Sequence, residues 1–488
     1  MKHYLLPLFL FISAAAFSQT APDVLKYSYL SPGGTARFLG AGGAFGALGA
    51  EFGSLSQNPA GLAMYRTDEL ILTPALRFSN TESTLVGGSN LSTDESKSHF
   101  HFDNIGIVFN TTPRGSDWKT FNVGLGYNQL ANYNRGIYYL GNANGTVLNN
   151  WFAEAQQILA TGTEDDLDPF TSRLAYDVNA IYYQDNDLSY DFAANPNAAL
   201  QRSQTLTQSG TMNEMVLSLA GNYDETMMIG LTVGVPFVRY RLSGEYREDD
   251  PAGEVEYFDN LTYTEDLTTD GVGINFKFGV IYRVSQALRL GASVHSPTWL
   301  SLTDDYSNTF SYAYTDGNGT SSDQASSPSG NFDYKLATPW RASLSGAVLI
   351  QKHGFLSAEV EWVDYSANKY NFTADVANTA NQLAERQVNT EIQRFFEPKI
   401  NVRFGGEAVL DNFRLRAGIN LLGKPYAEDS GFNMAYTAGA GIRGESFFLD
   451  LGYRLTSGDG SVIAYSGGPL ATTKNRVSDF LLTVGFKF

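Results

Sequence analysis

The chain has 488 residues, no cysteine and a formal net charge of −18, from 51 acidic against 33 basic side chains. This balance excludes the basic face that nucleic acid requires, and the lack of cysteine excludes a disulfide framework and thiolate metal sites. Tyr (28), Phe (32) and Gly (48) are abundant, yet the mean hydropathy is only −0.20, too polar for helical membrane spans and in keeping with one large barrel.

Lys2 and His3 precede a short apolar run, Tyr4 to Phe17, which gives way to small and polar residues. This is the pattern of a secretory signal peptide, residues 1–18, cleaved after Ser18. Loss of Lys2 with it takes the net charge from −18 to −19. Residues 19–68 follow as an N-terminal domain rich in small apolar residues, notably the stretch Gly42 to Arg66, GGAFGALGAEFGSLSQNPAGLAMYR. A linker rarely exposes Phe38, Leu39, Phe45, Leu48 and Phe52 to water, so this segment is expected to pack against the body of the protein.

From residue 69 onward the dominant signal is period-two alternation. Strands are read at 69–78, 100–110, 119–130, 211–222, 226–240, 271–285, 287–299, 335–350, 353–366, 399–410, 412–421, 434–443, 446–457 and 476–488. That makes fourteen, an even number, over a domain of 69–488. In the last of them Phe480, Leu482, Val484, Phe486 and Phe488 share one face, opposite Asp479, Thr483, Gly485 and Lys487. Arg414, Arg416, Asp450 and Arg454 likewise oppose apolar neighbours. Charge on a lipid face costs roughly 2–4 kcal/mol at mid-membrane, so the charged face is assigned to a polar lumen. By the same parity Lys277, Arg283, Arg289, Arg341, Glu359, Glu361, Arg403 and Glu407 join it, as a largely self-neutralising network.

A secreted β-sandwich also alternates, but its connections have no reason to alternate long and short. Here they do, with long ones at 79–99, 131–210, 241–270, 300–334, 367–398, 422–433 and 458–475 and tight ones such as 223–225 between. That is the outer-membrane pattern of long extracellular loops and short periplasmic turns, with both termini periplasmic. Within the longest loop, 131–210, Val147, Leu148, Trp151, Phe152, Ala155, Ile158 and Leu159 repeat at helical spacing and read as an amphipathic helix leaning on the barrel mouth. The acidic stretches at 161–170 and 246–259 read as solvated surface. The DGNGT run at 316–320 lacks the downstream spacing and terminal Glu of a calcium loop, so no metal site is assigned. With no Gly-x-Ser-x-Gly and only five His, one of them His3, the chain carries no catalytic constellation and is not read as an enzyme. His99, His101 and Asp103 alternate onto the face that carries Ile105 and Ile107, and are therefore expected to point outward as rim residues.

The segment GGTARFLGAGGAFGALGAEFGSLSQNPAGLAMYR (33–66), with Arg37 and Asn58-Pro59-Ala60, resembles the hatch of the FadL-type (long-chain fatty-acid and toluene) outer-membrane transport proteins. LRLGASVHSPTWLSL (288–302), LATPWRASLSGAVL with AEVEWVDYS (336–366) and the terminal strand ending in Phe488 extend the similarity, which includes the branch often labelled haemin receptor. The resemblance implies an all-β, fourteen-stranded transmembrane barrel in the Gram-negative outer membrane, plugged by a hatch in which Arg37, Gly40, Gly42, Gly43, Asn58, Pro59 and Ala60 matter. It implies passive uptake of hydrophobic small molecules by pocket binding, hatch rearrangement and sideways release beside the third strand, where Gly124 and Gly126 permit a bend. Arg414 and Arg416 are the expected head-group contacts. No cofactor is implied. The partners are the apolar cargo, outer-membrane lipid and lipopolysaccharide, and the barrel-assembly machinery through Phe488, for a monomer. A haemin receptor and a structural or adhesive barrel are the alternatives.

Overall fold

The computed structural model describes residues 19–31, 33–88, 91–317, 319–372 and 378–488. The signal peptide read at 1–18 lies outside the described residues, as does Asn318 in the DGNGT run. Fourteen antiparallel strands form one sheet that closes on itself. They are β1 (Glu69–Leu85), β2 (Ser92–Thr111), β3 (Trp118–Asn132), β4 (Ala199–Tyr223), β5 (Met227–Asp249) and β6 (Phe258–Arg283). Next come β7, in two pieces (Leu288–His295 and Trp299–Asp316), β8, also in two (Gly330–Ala337 and Arg341–Leu349), and β9 (Gly354–Asp364). The ring is completed by β10 (Pro398–Leu410), β11 (Phe413–Gly423), β12 (Phe432–Arg443), β13 (Phe447–Ile463) and β14 (Leu470–Lys487). β14 pairs with β1 from Glu69↔Lys487 to Leu85↔Ala471, so the sheet has no free edge there and its backbone groups are satisfied in lipid.

Alternation places oil outside. Leu415, Leu451, Phe480 and Phe486 are exposed, while Arg416, Asp450, Asp479 and Thr483 between them are buried. Beyond the apolar belt the strands run further than the oily alternation marks. β1 and β2 remain paired out to Thr84 and Ser92, and β5 and β6 continue to a turn at 250–257, so much of the expected loop at 79–99 and 241–270 is paired ladder. Outside the bilayer both faces of a strand meet water, so polar residues replace the alternating pattern while the backbone still pairs. In the 131–210 region a strand (Arg135–Asn144) pairs with β4, and the helix Leu148–Leu159 lays Trp151 against Tyr263 of β6 and Phe310 of β7. A second helix, Thr379–Phe395, in the connection from β9 to β10, buries Ala384, Val388 and Ile392 in a cluster with Val24, Tyr365 and Tyr370. The i, i+4 spacing of the three helix residues was the available signal in a segment read as loop. Among the described residues no helix is long and apolar enough to cross a membrane.

One parity expectation fails. His101 and Asp103 point inward, both buried, with His101 Nε2 and Asp103 Oδ1 2.9 Å apart, whereas Phe102 and Ile105 are exposed. The ladder shifts register between Thr73 and Pro74 of β1, opposite Asn104 and Phe102, and the extra residue reverses the facing of everything above it. The two chain ends also differ. Phe488 lies at the short-turn end, where its N–H donates to Asp68 O (3.2 Å), but Gln19 donates through Nε2 to Asp304 on the half that carries the long connections (2.6 Å).

Two lipid-side substitutions test the limits of the belt. Leu451→Arg (Leu451 is 55% exposed) is expected to destabilise the barrel in bilayers by about 2–4 kcal/mol, and Ile463→Arg (54% exposed, at the tip of β13) by less than about 1 kcal/mol. Denaturant unfolding in liposomes measures both.

Candidate functional site: the filled lumen

The N-terminal segment lies against the lumenal faces of the strands, touching β3 to β6 on one side and β11 to β14 on the other. Short helical turns (Ala36–Gly40, Phe52–Ser56 and Pro59–Met64) alternate with bends. Pro59 stands first in its turn, where its missing N–H is no loss. Asn58 caps that turn, accepting from Ala60 N–H (3.1 Å), and its Nδ2 donates to Gly46 O (2.6 Å) and toward Val280 O on β6 (3.3 Å). Asn58-Pro59-Ala60 thereby ties one end of the segment to its middle and to the wall.

The contact is backbone on backbone. A Cβ on Gly418 of β11 would stand 2.5 Å from Gly42 N, and one on Gly439 of β12 3.2 Å from Gly40 Cα. Cβ atoms on Gly405, Gly291, Gly230 and Gly279 would collide with Ala41 O, Gly46 O, Pro59 and Asn58 Oδ1. The wall thus carries a ring of glycines at the level of the segment. The sequence reading assigned close packing to Gly40, Gly42 and Gly43 but missed their counterparts in the wall, whose lumenal parity was the available signal. Gly124 and Gly126 belong to this ring. Leu55 and Phe52 fill the space a Cβ would take, and both glycines are laddered to β2 and β4. Register shifts in the β3–β4 ladder lie on either side of these glycines, at Trp118–Thr120 and at Gln129–Ala131.

Charges fasten the segment. Arg37 reaches Glu407 (3.2 Å), which also accepts from Arg416 (2.6 Å); Arg416 meets Asp450 (2.6 Å), and Asp450 meets Arg443 (2.9 Å). A second chain runs from Arg341 to Glu361 (3.2 Å) and, through Arg403, to Glu359 (2.7 Å), which accepts from Gly46 N–H (3.2 Å) and from Gln57. Lys277 pairs with Glu214, to which Ser56 Oγ donates (3.2 Å). Arg77 and Arg454 share Asp479 (2.6 and 2.8 Å), and Arg454 reaches Ser31 Oγ (3.1 Å). Buried charges persist only when paired, and each of these networks includes a group from the segment. The expected head-group pair separates: Arg416 is held by two carboxylates, while Arg414 donates to Asp411 O and Phe413 O at a tight turn (2.5 and 2.9 Å).

Above the segment a cavity remains, with Leu30, Phe38, Leu39, Leu130 and Leu422 as its apolar lining and Lys277, Arg341 and Arg403 at its polar side. β7 and β8 are interrupted there, at 296–298 and 338–340, each with a proline, Pro297 and Pro339, that cannot donate to a ladder. Beside the cavity the wall is incomplete. β2 pairs with β3 only from Asn104↔Asn128 to Thr111↔Phe121, and among the described residues Ser92–Asp103 has a ladder partner on β1 alone. Gly33 closes this gap from inside, its N–H donating to Gln129 O (2.8 Å) and its Cα lying against the Asp103 carboxylate.

A closed barrel of this topology whose lumen is filled by its own N-terminus defines an outer-membrane transport architecture. The family model described as "Outer membrane protein transport protein (OMPP1/FadL/TodX)" matches residues 169–430, and the chain belongs to that family. Among solved structures it is similar to a Pseudomonas aeruginosa FadL homologue (TM-score 0.55, 13% identity, covering 94% of this chain and 100% of that one). The Ralstonia pickettii toluene transporter TbuX (0.52, 12%, 93% and 98%) and the Pseudomonas putida toluene transporter TodX (0.51, 11%, 94% and 99%) share the fold. No curated protein matches by sequence.

Removing one member of a buried ion network leaves its partners uncompensated. Arg416→Met is therefore expected to lower the unfolding free energy by about 3 kcal/mol, against less than about 0.5 kcal/mol for Arg414→Met at the turn, by denaturant titration in detergent.

Proposed function

We propose that the protein is a passive outer-membrane channel for hydrophobic small molecules, long-chain fatty acids or compounds of similar character. The observation that carries this reading is the adjacency of a half-apolar cavity to an unpaired stretch of wall, with one short piece of the N-terminal segment between them. An apolar solute gains about 0.8 kcal/mol per buried methylene, enough to draw it from dilute solution into the cavity without an energy source. Leu30, Ser31 and Leu130 line the cavity, and Gly33, Asp103 and Gln129 line the gap. The proposed route to the membrane passes the place where Ser31 and Gly33 now lie. Displacing them breaks one backbone hydrogen bond and the Arg454–Ser31 contact, while Asn58-Pro59-Ala60 and the ion networks hold the rest of the hatch in place. The toluene transporters among the similar structures support a hydrophobic cargo.

In this orientation the long connections face outward and the tight turns the periplasm. Epitope tags at 161–168 are expected to be reached by antibody on intact cells and a tag at 223–225 is not; labelling at 223–225 would reverse the orientation. The haemin alternative predicts that haemin, and no chain compound, competes for the purified protein. His101 is turned inward but committed to Asp103.

The gap is tested by a tether. The protein has no cysteine, and a Cβ on Gly33 would stand 2.8 Å from Asp103 Cγ, so Gly33→Cys with Asp103→Cys is placed to form a disulfide. Oxidised cells are expected to lose fatty-acid uptake at least tenfold and to regain it on reduction, with unchanged sensitivity to a large hydrophilic antibiotic. Equal uptake in both redox states would refute release through this gap. Deleting residues 40–60 is expected to admit that antibiotic and abolish specific uptake, because this stretch packs directly on the wall at Gly230, Gly279, Gly291, Gly405 and Gly418.

A further inference from the structure

Below the N-terminal segment, at the short-turn mouth, lies a second hollow that the uptake route does not use. Its apolar wall includes Leu48, Met64 and Phe355, and its charged wall Arg66, Arg283 and Arg289. Arg283 and Arg289 stand directly opposite each other across the β6–β7 ladder, an unfavourable placement for like charges. Glu225, at the neighbouring turn, is shared by Arg66 (2.5 Å) and Arg283 (3.1 Å). Against the desolvation that its partial burial imposes, these two guanidiniums hold the Glu225 carboxyl below its ordinary value. Among the described residues no carboxylate pairs with Arg289. Its Nη1 donates to Leu48 O (2.7 Å), and its Nε, like that of Arg283, is buried without a partner. Three guanidiniums against one carboxylate leave the hollow with two uncompensated positive charges. Arg37 at its upper edge does not add to them, being paired with Glu51 and Glu407.

We propose that this hollow is an oxyanion site that takes the carboxylate of an amphiphile, with the head group on Arg289 and Arg283 and the chain against Leu48, Met64 and Phe355. Guanidinium forks match a carboxylate in two-point geometry, and the apolar surface beside them favours a chain-bearing anion over a free one. The site deepens the transport reading and rests on it for the direction of traffic. Because Arg289 also holds the Leu48 carbonyl, a carboxylate that recruits Arg289 loosens the segment that plugs the lumen.

The test uses the purified full chain in non-ionic detergent with a twelve-carbon carboxylic acid carrying a terminal diazirine, irradiated and mapped by peptide mass spectrometry. Peptides containing Leu48 to Met64 or Leu349 to Phe355 are expected to be labelled, and at least fivefold less by the corresponding alcohol. Arg289→Gln is expected to cut this labelling at least fivefold and Arg289→Lys by less, with labelling near Leu30 and Leu130 unchanged and the folded band retained on an unboiled gel. Equal labelling by the alcohol, or labelling indifferent to Arg289→Gln, overturns the site. Displacement of the label by an equal concentration of inorganic phosphate overturns the amphiphile assignment in favour of a free-anion site. Label in the upper cavity alone removes this site and leaves the transport reading standing, whereas label in the hollow alone supports the site and removes the upper pocket.

Discussion

The structure depends on the approach of one backbone to another inside a closed sheet. Fourteen strands pair around the wall, save on one side of β2 before Asn104, and they enclose a lumen that water or protein must occupy. Here the occupant is the N-terminal segment, and it reaches the wall where the wall has no Cβ: Gly230, Gly279, Gly291, Gly405, Gly418 and Gly439. With alanines at these positions the segment could not keep this approach. Its carbonyls and amides would then lose the short contacts that fix its path.

Seating the segment so closely brings charges into a space with little water, and the ion networks follow from that. Each carboxylate of the wall at this level is met by at least one cation, and Arg37, Gly46, Ser56 and Gln57 close the circuits from the segment's side. The consequence is directional. The middle of the segment, from Arg37 to Pro59, is held by ion pairs, caps and backbone contacts, whereas Ser31 and Gly33 are held by single hydrogen bonds to Arg454 and Gln129. The more lightly held piece is the one that separates the cavity from the gap in the wall.

The gap has a local cause. A register shift at Thr73/Pro74 turns His101 and Asp103 inward, and another at Gln129/Ala131 carries β3 away from β2. The two strands then share no ladder above Asn104 and Asn128, while β2 stays bound to β1. Bulges redirect a strand without breaking the neighbouring pairing, which is how a barrel can carry a lateral opening and still close on the far side.

Strand count, the facing of most strands and the polarity of the lumen were legible in the sequence. Each of these is a local periodicity in which lipid and water select opposite residues at every second position. The sequence also marked the small, greasy N-terminal segment and the cap at Asn58, because proline and asparagine act on the adjacent backbone. What only the tertiary structure decided is what depends on register. The wall glycines gain their meaning from which bend of the segment lies opposite, and Gly124 and Gly126 prove to seat Leu55 and Phe52 in a regularly paired stretch. Parity alone put Arg414 and Arg416 in one lumen. Height along the barrel separates them, one at a turn and one between two carboxylates, and height is set by strand stagger, which no alternation of residues records. His101 and Asp103 were misread for the same reason: a single bulged residue shifts the phase of a period-two pattern, and the shift is visible only against the partner strand.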